Sequence, residues 1–120
     1  MSTTITDAPL SDADYHALAY KLLAGIEQQV DRWLQDDVVD IDSARTGGLL
    51  ELSLPNGSKL IVNTQPPLHE IWLAARRGGF HYRWQGGQWR DTKSGDEFFA
   101  TLSACASEQA GKALEFAPPA

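Results

Sequence analysis

Residues 56–84 read NGSKLIVNTQPPLHEIWLAARRGGFHYRW, and this stretch decides the architecture. It holds three strand-like runs, KLIVN, EIWLAA and FHYRW, separated by turn-forming residues. Asn56-Gly57 between two apolar runs is a strong hairpin signal, because both residues tolerate the left-handed backbone that a tight turn needs. Pro66 and Pro67 end the first run and force a rigid connection. In the second run Ile71 and Leu73 share one face, while Glu70, Trp72 and Ala74 share the other. LLELSL (49–54) lies upstream after Gly47-Gly48, and QWRD (88–91) lies downstream after Gly86-Gly87, a second hairpin signal. From Val38 the apolar residues Val39 and Ile41 also follow the alternating period of a strand. Consecutive strands with short turns predict an antiparallel meander.

Helical patterns flank these strands. Tyr15, Leu18, Leu22, Ile26, Val30 and Trp33 recur every three to four residues, predicting a helix from Ser11 or Asp12, either of which can cap it, to about Gln35. Phe98, Phe99, Leu102, Cys105, Ala106 and Gln109 follow the same spacing. Ser94 with Glu97 reads as a capping box ahead of this second helix, and Gly111 as its left-handed C-cap. Both apolar stripes need cover, and one sheet face can supply it to both. The expected fold is therefore α+β: a two-layer α/β sandwich with the N- and C-terminal helices on one face of an antiparallel sheet. Residues 1–10 read as a polar N-terminal tail, and residues 11–120 as a single domain.

The chain has 120 residues and 42% hydrophobic content, enough for one core and too apolar for disorder. Its formal charge of −6 is unevenly placed. Through Asp42 there are nine acids against Lys21 and Arg32, whereas the remainder carries seven acids and eight bases. Nucleic acid and anionic membrane are poor partners for such a chain, since both demand clustered Lys and Arg. The single Cys105 allows no internal disulfide, which fits a reducing compartment. The opening MSTTITDAPL has no basic or apolar region of a secretory signal, and no apolar run reaches the length of a membrane span. The expected location is the cytoplasm.

The acids invite a chemical reading. Glu27 and Asp31, one helical turn apart, sit roughly 110–150° from the apolar stripe. Asp36, Asp37, Asp40 and Asp42 continue the cluster beyond the helix. Carboxylates without Cys or clustered His favour hard, oxygen-loving ions such as iron, Mn, Ca or Mg, held loosely with water completing the shell. From charge alone, a solvated helix face is the commoner origin of such a row. Like charges at i,i+4 nevertheless cost a helix roughly 0.2–0.5 kcal/mol per pair. His16, His69 and His81 lack the spacing of a zinc or di-iron site, and no paired base activates Cys105. Trp72 on the open sheet face, beside Asn63 and Gln65, reads either as a binding anchor or as cross-strand cover.

These residues together resemble the frataxins, particularly the bacterial branch. The resemblance is carried by residues 56–84, with N-x-Q-x-P, I-W-L-A and G-G-F-H-Y in order. It extends to DTKSGDEFFATLSACASEQAG from Asp91 and to SDADYHALAYKLLAGIEQQVDRW from Ser11. It implies a helix, a five- to seven-stranded antiparallel sheet and a second helix. It also implies a non-catalytic, iron-binding protein of iron–sulfur cluster assembly that docks on a cysteine desulfurase, and on the scaffold protein as a further candidate. Such a protein would be a monomer that can oligomerise with iron. Carried over by position, the metal-binding acidic ridge is Glu27, Asp31, Asp36, Asp37, Asp40 and Asp42, with His16 on the same helix. The partner-binding motif is Asn63, Gln65, Pro66 and Trp72. Gln28 and Arg32 stand where bacterial relatives often carry acids, and Glu70 where Gln is usual. Two other classes stay open: a ferrous-iron oxidising or iron-storing protein, and a metal-independent interaction module.

Overall fold

A computed structural model describes residues 10–119. Helix α1 spans Asp12–Gln35, followed by strands β1 (Asp42–Thr46), β2 (Leu49–Ser53) and β3 (Lys59–Gln65). A 3-10 turn at Pro66–Leu68 leads to β4 (Glu70–Ala75), β5 (Gly78–Gln85) and β6 (Gln88–Asp91), and helix α2 (Phe98–Ala110) closes the order. The six strands form one antiparallel sheet in sequence order, the expected meander. Of the predicted tail, residues 1–9 lie outside the described residues, whereas Leu10 packs against the core.

The alternation read from the sequence sets the faces. Leu50, Leu52, Leu60, Val62, Ile71, Leu73, Tyr82 and Trp89 point inward and are buried. Burying such a side chain contributes roughly 1.5–3 kcal/mol, more than the ~1 kcal/mol span of strand propensities, so the apolar pattern fixes the register. Both helices cover this face, α1 with Tyr15, Leu22, Ile26, Val30 and Trp33, and α2 with Phe98, Leu102, Cys105 and Ala106. Among the described residues no helix lies over the opposite sheet face. The Gly86-Gly87 hairpin joins Gln85 to Gln88 with φ of 59° and 82°, values that glycine adopts without strain.

Local chemistry ends the helices. Ser11 Oγ accepts from the Asp14 N–H at 3.1 Å and caps α1. At the other end Val38 N–H donates to the Trp33 carbonyl (2.8 Å) and Asp37 N–H to the Leu34 carbonyl (3.2 Å), a Schellman closure with Asp37 in the left-handed region at φ 58°. Val39 and Ile41 belong to the connection after this closure. The first strand begins at Asp42, later than their spacing suggested. The reading of Ser94 and Glu97 as a capping box also needs correction. Glu97 is itself the N-cap, its carboxylate accepting from Phe99 N–H (2.8 Å) and Ala100 N–H (3.1 Å). Ser94 Oγ instead accepts from Asp96 N–H within the preceding turn. A charged cap at this position satisfies two free amides and meets the positive end of the helix dipole.

After Gly111, in the left-handed conformation at φ 72°, the chain folds back along the helices. Leu114 and Phe116 are buried, and Phe116 meets Trp33 edge-on at 4.8 Å. Two serines one turn apart on α2 hold this segment: Ser107 Oγ bonds both the N–H and the carbonyl of Leu114, and Ser103 Oγ accepts from Phe116 N–H at 2.8 Å. Gln109, also buried, donates to the Lys59 carbonyl and accepts from Arg76 N–H, tying two hairpin ends to α2.

Candidate functional site

The acidic residues lie along the C-terminal half of α1 and the connection to β1. Asp31, Asp36, Asp37, Asp40 and Asp42 are all exposed to water. Each is there for a local reason. Asp31 lies off the apolar stripe, Asp36 is the C-cap of α1, and Asp37 takes the left-handed turn that a short polar side chain tolerates. Asp42 opens the edge strand opposite Ser53.

Glu27 differs. It is half-buried, and both its oxygens are engaged by Arg45 of β1: Oε2 by Nε at 3.3 Å and Oε1 by a close contact from Nη2. The Arg45 guanidinium also lies 4.9 Å from the centre of the exposed Tyr20 ring. The paired carboxylate holds the Arg45 pKa above its ordinary value. Internal neutralisation of the ridge therefore comes from Arg45, a residue that charge counting alone does not single out. A second cation enters nearby, as Lys112 Nζ donates to the Val38 carbonyl at 2.7 Å, between Asp37 and Asp40 in the chain. The ridge open to an ion or a partner is accordingly Asp31 with Asp36–Asp42, thinner on the helix.

Among the described residues, no three His, Cys, Asp or Glu side chains converge closely enough to enclose a metal ion. Exposed carboxylates without a cage offer one or two hard ligands per ion, which suits loose binding of a hydrated divalent or trivalent ion. His16 is exposed and stands edge-on to Tyr15 at 5.4 Å, about three turns or more from the ridge acids. His69 stacks on Tyr15 at 4.9 Å and bonds Asp12 at 2.6 Å. That bond holds the Asp12 carboxyl below the usual aspartate range. The buried Cys105 thiol is pushed up by desolvation, which keeps it protonated and inert.

The second predicted cluster forms on the bare sheet face. Asn63 pairs with Trp72 across β3 and β4, and Trp72 with His81 across β4 and β5. Gln65 lies on the same face and Pro66 starts the adjoining 3-10 turn, so the structure brings all four motif residues to one region. Trp72 is half-buried and lies flat on His81, with ring centres 4.1 Å apart and planes 6° from parallel. Its indole N–H donates to Glu70 Oε1 at 2.9 Å, and Arg83 Nε donates to Glu70 Oε2 at 2.8 Å. Trp72 thus serves as cross-strand cover and still presents an aromatic face. Glu70, only 5% exposed, is the anchor of this network. The alternation of β4 with the Ala75–Gly78 turn register would have placed Glu70 opposite Arg83. No local signal could have matched Glu27 with Arg45.

The fold and this pair of surfaces define a class: two-layer α/β sandwiches with acids along the first helix and an aromatic-centred polar row on an uncovered sheet. The family model described as a frataxin-like domain matches residues 8–112. The chain belongs to the frataxin family. It is 52% identical over 107 residues to the protein of Burkholderia mallei (strain SAVP1) named "Iron-sulfur cluster assembly protein CyaY", covering 89% of this chain and 98% of that one. The solved frataxin of Psychromonas ingrahamii superposes with a TM-score of 0.80 at 37% identity, over 90% of this chain and 99% of the other. Trimeric frataxin of Saccharomyces cerevisiae, solved in complex with ferrous iron, shares the fold at a TM-score of 0.68 and 22% identity, over 93% and 100% of the two chains. Among the described residues no helix is long and apolar enough to cross a membrane.

Proposed function

We propose that this chain is a non-catalytic, cytoplasmic regulator and iron donor of iron–sulfur cluster assembly. Asp31, Asp36, Asp37, Asp40 and Asp42 bind iron loosely as cargo, and the same acids dock on a basic surface of a cysteine desulfurase. Exposure of these five carboxylates, with few cations among them, is the observation that carries the reading. Hard oxygen donors in water accept ferrous or ferric iron weakly enough to release it, as a donor must. The names of the bacterial relatives support the assembly role, and the ferrous complex of the yeast protein supports iron as the ion. Charge complementarity steers such a ridge toward a basic partner and sets orientation more than raw affinity. The Asn63–Trp72–His81 row adds a second contact, where an aromatic face supplies area that salt does not screen.

The two uses of the ridge draw on the same charges and compete. Anaerobic titration with ferrous iron, followed by backbone amide NMR, tests the iron half of the proposal. Paramagnetic broadening should begin at Asp31 and at residues 36–42 and spare the Trp72 row. Broadening that begins on the open sheet face, or none at millimolar iron, would remove the ridge from iron binding.

A further inference from the structure

Away from the ridge, α1, the β5–β6 hairpin and α2 enclose a half-open cleft of about 190 Å³. Its body is apolar and aromatic, built from Leu22, Trp84, Trp89 and Phe99; Lys21, Gln88 and Glu97 add polar groups to its lining, and Pro118 and Pro119 of the segment that follows α2 complete one side. Trp84 and Trp89 meet edge to face at 5.4 Å, Trp84 partly exposed in the cleft and Trp89 only 3% exposed beneath it. Neither indole N–H is engaged by another described residue. Two indoles set at an angle, with free N–H donors, are the elements that recognise proline-rich segments. Such segments are already extended in the polyproline II form and lose little freedom on docking.

The way the final segment is attached adds a second observation. Leu114 and Phe116 are buried and bonded to Ser107 and Ser103. Beyond Phe116 no hydrogen bond to another described residue holds the chain, and Pro118 and Pro119 are seated by packing alone. Pro119 lies against Gly25 of α1, where an added Cβ would come within 3.4 Å of the proline Cβ. The two prolines can therefore lift away while Leu114 and Phe116 remain in the core.

We infer that the Trp84–Trp89 cleft is a proline-binding site, bordered internally by Pro118-Pro119 and opened fully to a proline-rich segment of a partner protein when these two residues lift. This surface is separate from the acidic ridge, so the inference stands or falls independently of the proposed function. The test uses the full chain with Pro118→Ser and Pro119→Ser, a synthetic decaproline peptide as probe, and indole N–H NMR signals of Trp84 and Trp89 as the readout. Decaproline should shift both signals in the double variant at a concentration at least tenfold lower than in the parent. Trp84→Ala should abolish the shift at Trp89, and a Gly-Ser peptide of equal length should cause none. Equal response of parent and double variant, a response that survives Trp84→Ala, or no response at millimolar probe would overturn the inference. Melting curves of each variant establish that it is folded when the probe is added.

Discussion

Replacing Arg45 by Met should weaken the fold and strengthen the ridge at the same time. Arg45 and Glu27 are 21% and 29% exposed at their side chains, between the surface and buried regimes. Exposed pairs contribute about 0–1 kcal/mol, and breaking fully buried ones costs about 3–5 kcal/mol. A forked pair of intermediate exposure should then contribute about 1–1.5 kcal/mol, and the contact over Tyr20 adds about 0.5 kcal/mol. Methionine keeps most of the aliphatic cover, so the loss is about 1.5–2 kcal/mol, or roughly 6–8 °C in Tm for a domain of this size. The freed Glu27 carboxylate makes the ridge one unit more negative. At ~10 Å from a divalent ion, that charge adds about 0.3–0.8 kcal/mol after screening, a two- to fourfold gain in ferrous affinity. Differential scanning calorimetry and anaerobic isothermal titration measure the two effects, and a double-mutant cycle with Glu27→Gln isolates the pair. A coupling energy of zero, or ferrous binding weaker in Arg45→Met than in the parent, would refute the assignment of Arg45 as the internal counter-ion.

Three other perturbations have definite outcomes. Tyr82 has a buried hydroxyl with no hydrogen-bond partner among the described residues, and burial pushes its pKa up to about 12. A raised folded pKa means that its contribution to stability is whole below the ordinary value of 10.0 and is lost as pH climbs toward 12. Tyr82→Phe should gain about 1 kcal/mol at neutral pH and flatten the alkaline fall, as read by urea denaturation from pH 8 to 12. Arg83→Leu leaves the Glu70 carboxylate without its cation. The loss should be about 1–2 kcal/mol, discounted because Arg83 is 59% exposed, whereas Glu70→Gln should cost less than about 1 kcal/mol because Trp72 keeps an acceptor. Asp37→Val forces a β-branched residue into φ 58° and should cost about 1–2 kcal/mol, while Asp37→Asn and Asp37→Gly stay within about 0.5 kcal/mol. Chemical denaturation of the three variants separates the backbone demand at this position from its charge.

Much of this molecule is legible from its apolar spacing. The period of three to four over Tyr15–Trp33 and the alternation through residues 49–84 place the helix and strands β2 to β5 on their correct faces, because burial of whole side chains outweighs local preference. Turn chemistry at Asn56-Gly57 and Gly86-Gly87 limits the topology to a meander. The misreadings are of a different kind. Glu97 caps α2 directly, a choice between two polar residues three positions apart that the pattern alone cannot make. Val39 and Ile41 mimic a strand because Ile41 is buried from an irregular connection. At the site, the acids of α1 and residues 36–42 were visible as a charge run, but their effective charge depends on Arg45 and Lys112, 18 and 74 residues from their respective partners. Pairing across such distances is decided by the fold. Glu70 is the intermediate case: its face and register followed from β4 and its turn, so its partner Arg83 was within reach of the pattern.

The most direct trial is the affinity of this chain for its cognate cysteine desulfurase as a function of salt, for the parent and for a variant with Asp31, Asp36, Asp37 and Asp40 all changed to Asn. Glu27 is left intact because Arg45 already neutralises it, and Asn at position 37 retains the left-handed turn. If the ridge docks, the parent should lose affinity steeply with added salt, and the variant should bind at least ~10-fold more weakly at physiological ionic strength with a flattened salt dependence. Affinity in the folded quadruple variant equal to that of the parent would show that these carboxylates do not form the docking surface.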